Sequence, residues 1–258
     1  MSAAPGAAAV DPRAENFDTR GLKVLVVAFA WNEGERILRT LGRLPRPSPF
    51  LYAVADDGST DGSLEAYARF PDVRVFRHER NRGLGAAMKT VNRAAFAEGV
   101  DVIAHMAGND KDDPEELPRL LRPIVEEGYD FVQGSRYVPG GRWGNTPPAR
   151  LVATRFVHPL LFSLVARRRV RDTTNGFVAF RTRLLRDPRI RWEAEWLDGY
   201  ELQYYFSLKA IRLGYRFTEV PVTKVYPAVK RGYSKVKPVT GWWEILKPLA
   251  YAALGVRQ

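Results

Sequence analysis

The stretch His105-Met-Ala-Gly-Asn-Asp-Lys-Asp-Asp-Pro114 decides the fold, because it joins an apolar strand to an amphipathic helix. The strand is predicted at 101–106, and either Asp112 or Asp113 can cap a helix in which Pro114 suits the first position. In an open α/β sheet, ligands bind beyond the carboxyl ends of the strands. The loop 109–113 is therefore predicted to lie at a binding site. The alternative is that its carboxylates only cap the helix.

Basic residues exceed acidic ones, with 40 Lys and Arg against 29 Asp and Glu and a net charge of +11. This excess indicates anionic partners, such as nucleotide phosphates, an anionic membrane surface or nucleic acid. The basic residues lack interleaved aromatics and any nucleic-acid-binding motif, so we expect no nucleic-acid partner. The absence of cysteine excludes disulfides, and three scattered histidines argue against a zinc centre.

Strands alternate with helices through the first half of the chain. Apolar, β-rich runs predict strands at 22–29, 50–55, 73–77, 101–106 and 129–134, and two more at 177–181 and 216–222. The alternation predicts an α/β fold with a doubly wound, mostly parallel sheet and a smaller mixed region in the second half. A single large domain is expected at this length.

Polar residues follow several of the predicted strands and are candidates for donor binding. Asp56 and Asp57 end the second strand, where they could bind a nucleobase and ribose or merely shape the turn. Gly85 closes Asn81-Arg-Gly-Leu-Gly85, which could admit a phosphate to the backbone but lacks the dinucleotide fingerprint. Arg136 is predicted at the same edge, with a geometry suited to a diphosphate.

The second half carries signs of contact with a membrane surface. An apolar helix is predicted at 149–166, followed by the basic cluster 167–171, and the end of the chain (241–254) mixes aromatics with lysines. No stretch contains the roughly 18 uncharged apolar residues of a membrane span. We therefore expect a peripheral protein on the cytoplasmic face of a membrane, with a disordered tail at 1–20.

The order of several short motifs resembles the family 2 inverting glycosyltransferases of GT-A fold, in particular the dolichyl-phosphate mannose synthase branch. The resemblance covers about residues 22–240. It is carried by Trp31-Asn-Glu33, Asp56-Asp-Gly-Ser-Thr-Asp61, Asn81-Arg-Gly-Leu-Gly85, Gly134-Ser-Arg-Tyr137, Asn175-Gly-Phe177, Glu219-Val-Pro221 and Arg231-Gly-Tyr-Ser-Lys235.

The resemblance implies transfer of a sugar, with inversion, from a nucleotide-sugar to a polyprenyl or dolichyl phosphate. It favours GDP-mannose and leaves a UDP-sugar open. It implies one GT-A domain at 21–240, with a donor half at 21–136 and an acceptor half at 137–240, and then an amphipathic segment at 241–258. A non-catalytic nucleotide-sugar-binding protein and a transferase to a hydroxyl acceptor are the alternatives.

The chain departs from the family pattern at the metal site. The family uses Asp-x-Asp and a following Gln to hold Mg²⁺ or Mn²⁺, and these positions align with Ala107, Asn109 and Lys111. One hypothesis is that Asn109, Asp110 and Asp112 hold the metal after a local shift. The other is that Lys111 replaces the cation, and we favour the retained metal.

The resemblance also implies roles for the remaining candidates. Trp31, Glu33, Asp56, Asp57, Gly85 and Lys111 are expected to bind the donor, and Asn175, Lys230, Arg231 and Lys235 the acceptor. Arg136, Asp172 and Glu201 are the predicted catalytic residues. Arg136 stabilises the leaving diphosphate, and Asp172 or Glu201 acts as base if the acceptor is a hydroxyl. The usual family glutamate aligns with Tyr205, and Glu201 lies one turn earlier.

Overall fold

The computed structural model describes residues 17–226 and 240–256. In this part of the chain, the strands are Val24–Ala30 (β1), Leu51–Asp56 (β2), Val73–Arg77 (β3), Val102–Ala107 (β4), Phe131–Ser135 (β5), Arg142–Gly144 (β6), Val178–Arg181 (β7), Phe217–Pro221 (β8) and Thr223–Val225 (β9). The α-helices are Glu35–Gly42 (α1), Ser63–Ala66 (α2), Leu84–Ala97 (α3), Leu117–Glu127 (α4), Pro148–Val152 (α5), His158–Ala166 (α6), Arg183–Arg186 (α7), Glu201–Arg212 (α8) and Thr240–Ala253 (α9).

The main sheet has seven strands in the order β3-β2-β1-β4-β7-β5-β8. Only β7 runs against its neighbours β4 and β5, and the other pairs are parallel. A parallel pair of β6 and β9 forms a second, smaller sheet. The prediction of an α/β fold with a mostly parallel sheet and a smaller mixed region is confirmed.

Both faces of the main sheet are buried. Side chains alternate along each strand, so neighbouring residues enter different cores. On β1, Leu25 and Val27 face one core, which α3, α8 and part of α9 cover. Val24, Val26 and Ala28 face the other core, beneath α1 and α4. Parallel sheets are usually covered on both faces in this way, and the arrangement leaves the carboxyl edge of the strands open to a ligand.

The central stretch adopts the predicted strand-to-helix join. The Asp113 side chain caps the turn by accepting the N–H of Glu115 at 3.2 Å, and Pro114 begins a short 3₁₀ turn, Pro114–Glu116, ahead of α4. Gly128 ends α4 in the left-handed conformation. The acidic loop is thus placed at the end of β4, beside β1.

The chain between Pro148 and Ala166 is one helical segment, in which a π-helical turn, Ala153–Val157, joins α5 to α6. By length and composition it can cross a membrane, with 19 residues and a mean hydropathy of 1.3 over an 18-residue window. The expectation above concerned uncharged apolar runs and did not extend to this segment as a possible span, because it contains Arg150 and Arg155. Only 28% of the window is buried.

The two segments predicted at the ends of the chain, the tail at 1–20 and the amphipathic segment at 241–258, are described only in part. Residues 1–16 of the expected tail lie outside the described residues, whereas Phe17 is buried and packs against Phe50 at 5.7 Å between ring centroids. In the C-terminal segment, α9 buries Ile245 and Leu249 and exposes Trp243. This helix packs on α6 and α8 and so belongs to the same body.

Candidate active site

A cavity of about 630 Å³ opens at the carboxyl ends of β1, β2 and β4. Its walls come from the first half of the chain and from residues of 136–178, 199–204, 224–226 and α9. The predicted residues that line it are Trp31, Glu33, Asp57, Asn109, Lys111 and Arg136. Those that do not line it are Asp56, Gly85, Asp110, Asp112, Asp172, Asn175 and Glu201.

Asp57 and Asp56 are both buried, but only Asp57 reaches the cavity. The Asp57 carboxylate accepts the backbone N–H groups of Arg82 and Gly83 at 2.9 and 2.8 Å. Its Oδ1 also lies 2.7 Å from His78 Nδ1. Asp56 accepts the N–H of Ser59 at 2.7 Å and the Tyr67 hydroxyl at 2.6 Å. Asp56 therefore shapes the turn, which is the second of the two readings of its sequence.

Gly85 does not offer its backbone to a phosphate in this structure. Its N–H donates to the Gly199 carbonyl at 2.9 Å, and the next amide, Ala86, donates to the Asp198 carbonyl at 3.0 Å. A Cβ on Gly85 would lie 1.9 Å from the Leu197 carbonyl oxygen. The glycine is thus needed for close packing between the start of α3 and the segment 197–199.

Both aspartates of the predicted metal site are engaged in ion pairs. Asp110 Oδ2 accepts Arg39 Nε at 2.7 Å, and its Oδ1 accepts Arg43 Nη1 at 3.2 Å. Asp112 is almost fully buried, where Oδ2 accepts the Ala107 N–H at 2.9 Å and Oδ1 binds the Lys224 ammonium. Lys224 lies beside Asp112 because the backbones of these two residues form an isolated antiparallel bridge.

These residues do not fit a divalent cation. Mg²⁺ and Mn²⁺ require oxygen ligands that are not already neutralised. The side-chain oxygens of Asp110 and Asp112 face arginine and lysine, and Asn109 contributes only a neutral amide. Over the ranges that the structure describes, no group of three or more His, Asp or Glu side chains could hold a metal ion.

Lys111 lies on the cavity wall, with its Nζ 4.7 Å from the centre of the Tyr226 ring. Burial, together with the nearby charge of Lys224, lowers its pKa from 10.5 to about 7. Other cationic groups crowd the same cavity. The six cationic side chains along the described wall are Arg36, Arg82, Lys111, Arg136, Arg150 and Lys224, against the carboxylates of Glu33, Asp57 and Glu244. This excess of positive charge favours an anionic ligand.

Arg136 is held rigidly at the cavity by a buried carboxylate. Its Nε and Nη2 donate to Asp172 at 2.7 and 2.8 Å, and Nη2 also donates to Thr174 Oγ1 at 2.8 Å. Burial opposes the charged guanidinium, but the adjacent Asp172 outweighs it and raises the pKa of Arg136 overall. Glu219 in turn accepts the N–H groups of Arg171 and Asp172, both at 2.9 Å. Asp172 therefore positions the arginine and does not itself reach the cavity.

The remaining candidates lie behind the wall or outside the described residues. Glu201 is buried and forms an ion pair with Lys247 of α9. Asn175 is fully buried, and its side chain bonds the Gly134 carbonyl, the Phe177 N–H and Lys224 at 3.1, 3.2 and 3.1 Å. Lys230, Arg231 and Lys235 fall in 227–239, outside the described residues.

The predicted site residues omit five charged residues of the described wall: Arg36, Arg82, Arg150, Lys224 and Glu244. Arg150 gave a usable signal, since a charged side chain inside an otherwise apolar helix needs a polar surrounding. Lys224 gave none, because its position depends on pairing with a loop more than a hundred residues away in sequence.

Comparison with known proteins gives a consistent result. The family model described as glycosyl transferase family 2 matches residues 25–188. An undecaprenyl-phosphate mannosyltransferase from Micrococcus luteus is 34% identical, over 79% of this chain and 84% of that protein. A polyprenol monophosphomannose synthase from Mycolicibacterium smegmatis is also 34% identical, over 78% and 77%. A dolichyl-phosphate hexose transferase from Haloferax volcanii is 30% identical, over 90% and 94%.

Solved structures share the fold. A glucosyl-3-phosphoglycerate synthase from Mycobacterium tuberculosis, in complex with Mn²⁺, UDP and glucosyl-3-phosphoglycerate, superposes with a TM-score of 0.66. The match covers 100% of this chain and 88% of that one, at 18% identity. The GT-A fold expected from the resemblance is thereby confirmed.

Proposed function

Because the chain belongs to glycosyl transferase family 2 and is therefore a glycosyltransferase, we propose that it transfers a hexose from a nucleoside diphosphate sugar to a polyprenyl phosphate. GDP-mannose is the proposed donor, and the configuration at the anomeric carbon is inverted. The mannosyl and polyprenyl phosphate terms in the names of relatives at 34% identity support this choice.

One observation carries the proposal: a single helical segment borders the cationic cavity and exposes an apolar surface. Arg150 and Thr154 of the segment Pro148–Ala166 line the cavity. Its large apolar side chains at Val152, Phe156, Val157, Leu160, Leu161 and Leu164 are exposed. A polyprenyl phosphate combines an anionic head with a long apolar chain. The segment offers a basic residue for the first and, within the described part of the chain, an exposed apolar face for the second.

The proposed chemistry uses charge and needs no proton transfer. An oxygen of the acceptor phosphate forms a bond to the anomeric carbon, while the bond from that carbon to the diphosphate oxygen breaks. The diphosphate oxygen keeps the electron pair, so negative charge develops on the leaving nucleoside diphosphate. Preorganised cations in a cavity stabilise such charge strongly, and Arg136, fixed by Asp172, is the residue proposed to do so here.

The two carboxylates predicted as bases, Asp172 and Glu201, are not placed to activate a hydroxyl acceptor. A hydroxyl needs a general base within hydrogen-bond reach. Asp172 forms a bidentate pair with Arg136, and Glu201 pairs with Lys247 behind the cavity wall. A phosphate is already an anion at neutral pH and needs neither residue as a base.

We assign the donor side to the first-half wall and the acceptor side to the second half. Trp31, Glu33 and Asp57 contact the nucleotide, with Glu33 placed by an ion pair with Arg36 at 3.0 Å. Asp56 and Gly85 act through the turn and the packing that they shape. The roles of Lys230, Arg231 and Lys235 with the acceptor stay predictions.

The apolar face also supports the predicted attachment to a membrane surface. Arg167, Arg168, Arg169 and Arg171 follow the segment directly. Each basic residue near an anionic surface contributes about 1 kcal/mol of attraction. We propose that the face defined above enters the interface of the cytoplasmic leaflet and that the arginines contact its anionic headgroups.

The test is transfer of label from GDP-[¹⁴C]mannose or UDP-[¹⁴C]glucose to undecaprenyl phosphate, measured in the organic phase after extraction. We expect label from GDP-mannose in an acid-labile lipid, and its loss in Arg136→Met but not in Arg122→Met, a surface control. Transfer only to a soluble hydroxyl acceptor such as 3-phosphoglycerate would refute the proposal. Lipid label from UDP-glucose alone would overturn the choice of donor but not of acceptor.

A further inference from the structure

Ala107 and Asn109, the two residues that align with the family's metal carboxylates, are both neutral. Ala107 ends β4, and the Asn109 side chain lies on the cavity wall. The basic side chains of Lys111 and Lys224 line the same cavity, and a diphosphate bound there would favour the charged form of Lys111. Positive side chains therefore border the part of the cavity where a cation would need negative ones.

The two aspartates nearby, Asp110 and Asp112, are not available as metal ligands. Asp110 and Asp112 are absent from the cavity wall, and each carboxylate oxygen of the pair has a partner. Withdrawing Asp112 would leave Lys224 without its counter-ion and the Ala107 N–H without an acceptor. A shift of the loop toward a metal would break these contacts, and breaking a buried charge pair is strongly unfavourable.

The contacts of Lys224 indicate a site built to hold a cation in place. Its Nζ donates to Asp112 Oδ1 and to Asn175 Oδ1, the second at 3.1 Å. An ammonium has three hydrogen-bond donors. Two are used by these residues, which fixes the side chain, and the hydrogen bonds among the described residues do not use the third.

We propose that this enzyme binds the diphosphate of its donor without a divalent cation, and that Lys111 and Lys224 occupy the electrostatic role of the metal. Asp112 is a positioning residue, because it acts on the ligand only through Lys224. The proposal rests on the proposed function in one respect, which is that the donor carries a diphosphate. The charge that develops on the departing diphosphate is then balanced by the two ammonium groups together with Arg136.

Calorimetric titration with GDP, and separately with UDP, tests the proposal by binding instead of activity. Wild-type protein is titrated in EDTA and again in Mn²⁺. We expect the Kd of the better-bound nucleotide to agree within about twofold between the two conditions. Loss of a charged hydrogen bond implies that Lys111→Met raises this Kd about ten- to a hundredfold in EDTA.

Lys224→Met leaves Asp112 buried without its partner, so it is paired with the double variant Lys224→Met/Asp112→Asn, which removes both charges. The double variant should fold and still bind at least tenfold more weakly. The matched control is Lys23→Met, since Lys23 lies just before β1 at the opposite edge of the sheet. Its Kd should equal that of the wild type.

Binding that disappears in EDTA and returns with Mn²⁺ would overturn the inference, even if mannose is transferred to the lipid. Binding in EDTA without any lipid transfer would leave the inference standing and sink the proposed acceptor. An unchanged Kd in Lys111→Met and in the double variant would remove both lysines from the role. Absence of GDP and UDP binding under all conditions would refute the inference and the proposed donor together.

Discussion

Replacing Asp172 by alanine removes the carboxylate that holds Arg136 and leaves the guanidinium without its counter-charge. Only 2% of the arginine side chain and none of the aspartate side chain is exposed, and the pair is bidentate. Removing one partner of a buried ion pair costs about 3–5 kcal/mol, because the other charge stays buried without compensation. At about 2–4 °C per kcal/mol for a chain of this size, the Tm of Asp172→Ala should fall by roughly 6–20 °C.

Urea denaturation and thermal scans provide the measurement, and Glu126→Ala provides the control. Glu126 pairs with Arg122 on the exposed face of α4, with Arg122 Nε 3.3 Å from Glu126 Oε1. A surface pair of this spacing contributes only about 0.3–0.5 kcal/mol. Arg136→Met/Asp172→Ala should recover much of the lost stability, since neither charge then remains. If Asp172→Ala loses no more than Glu126→Ala, the reasoning about the buried pair is refuted.

Three further outcomes follow from contacts described above. Gly85→Ala should lower the free energy of unfolding by about 1–3 kcal/mol or more, because its Cβ would collide with a carbonyl. The control is Gly42→Ala, whose Cβ would meet no atom within 4 Å and should not lower it. Equal urea midpoints for the two variants would contradict the packing role of Gly85. Burial lowers the pKa of His105 from 6.5 to about 3. Below pH 6.5 the unfolded chain therefore binds more protons than the folded one, and the free energy of unfolding falls by up to about 1.4 kcal/mol per pH unit. The urea midpoints at pH 7.5 and pH 5 should differ less in His105→Phe than in the wild type, and an equal difference would count against this account. Leu160→Ser/Leu164→Ser should weaken binding to anionic liposomes and leave nucleotide binding intact, since both side chains are exposed; wild-type binding in a flotation assay would exclude that face as the contact.

The architecture could be predicted because its signals are local. Each strand of the first half is a short apolar run followed by a turn, and this pattern determines the type of element even where its ends differ by one or two residues. The second strand, expected at 50–55, forms at Leu51–Asp56, and the fourth, expected at 101–106, forms at Val102–Ala107. The alternation with helices then implies a parallel sheet whose carboxyl edge carries the site.

The use of individual polar groups could not be predicted, since it depends on partners that are distant in sequence. Asp112 is a plausible metal ligand until Lys224 is known to lie against it. Gly85 was expected to approach a ligand closely, and it does approach a backbone closely, but that backbone belongs to the segment 197–199. Sequence identified the residue types that need a special surrounding, and tertiary structure determined what surrounds them.

The hydrogen bonds that occupy the amides at the start of α3 have a consequence for how this enzyme can evolve. An anion held by the amides at a helix start depends on main-chain N–H groups that every substitution except one to proline retains. Here two of those amides, at Gly85 and Ala86, are already bound to protein carbonyls. The positive charge of the cavity is therefore supplied by side chains, each of which a single mutation can replace. Preference among leaving groups should for this reason evolve by point substitutions at the cavity wall, without any change in the backbone.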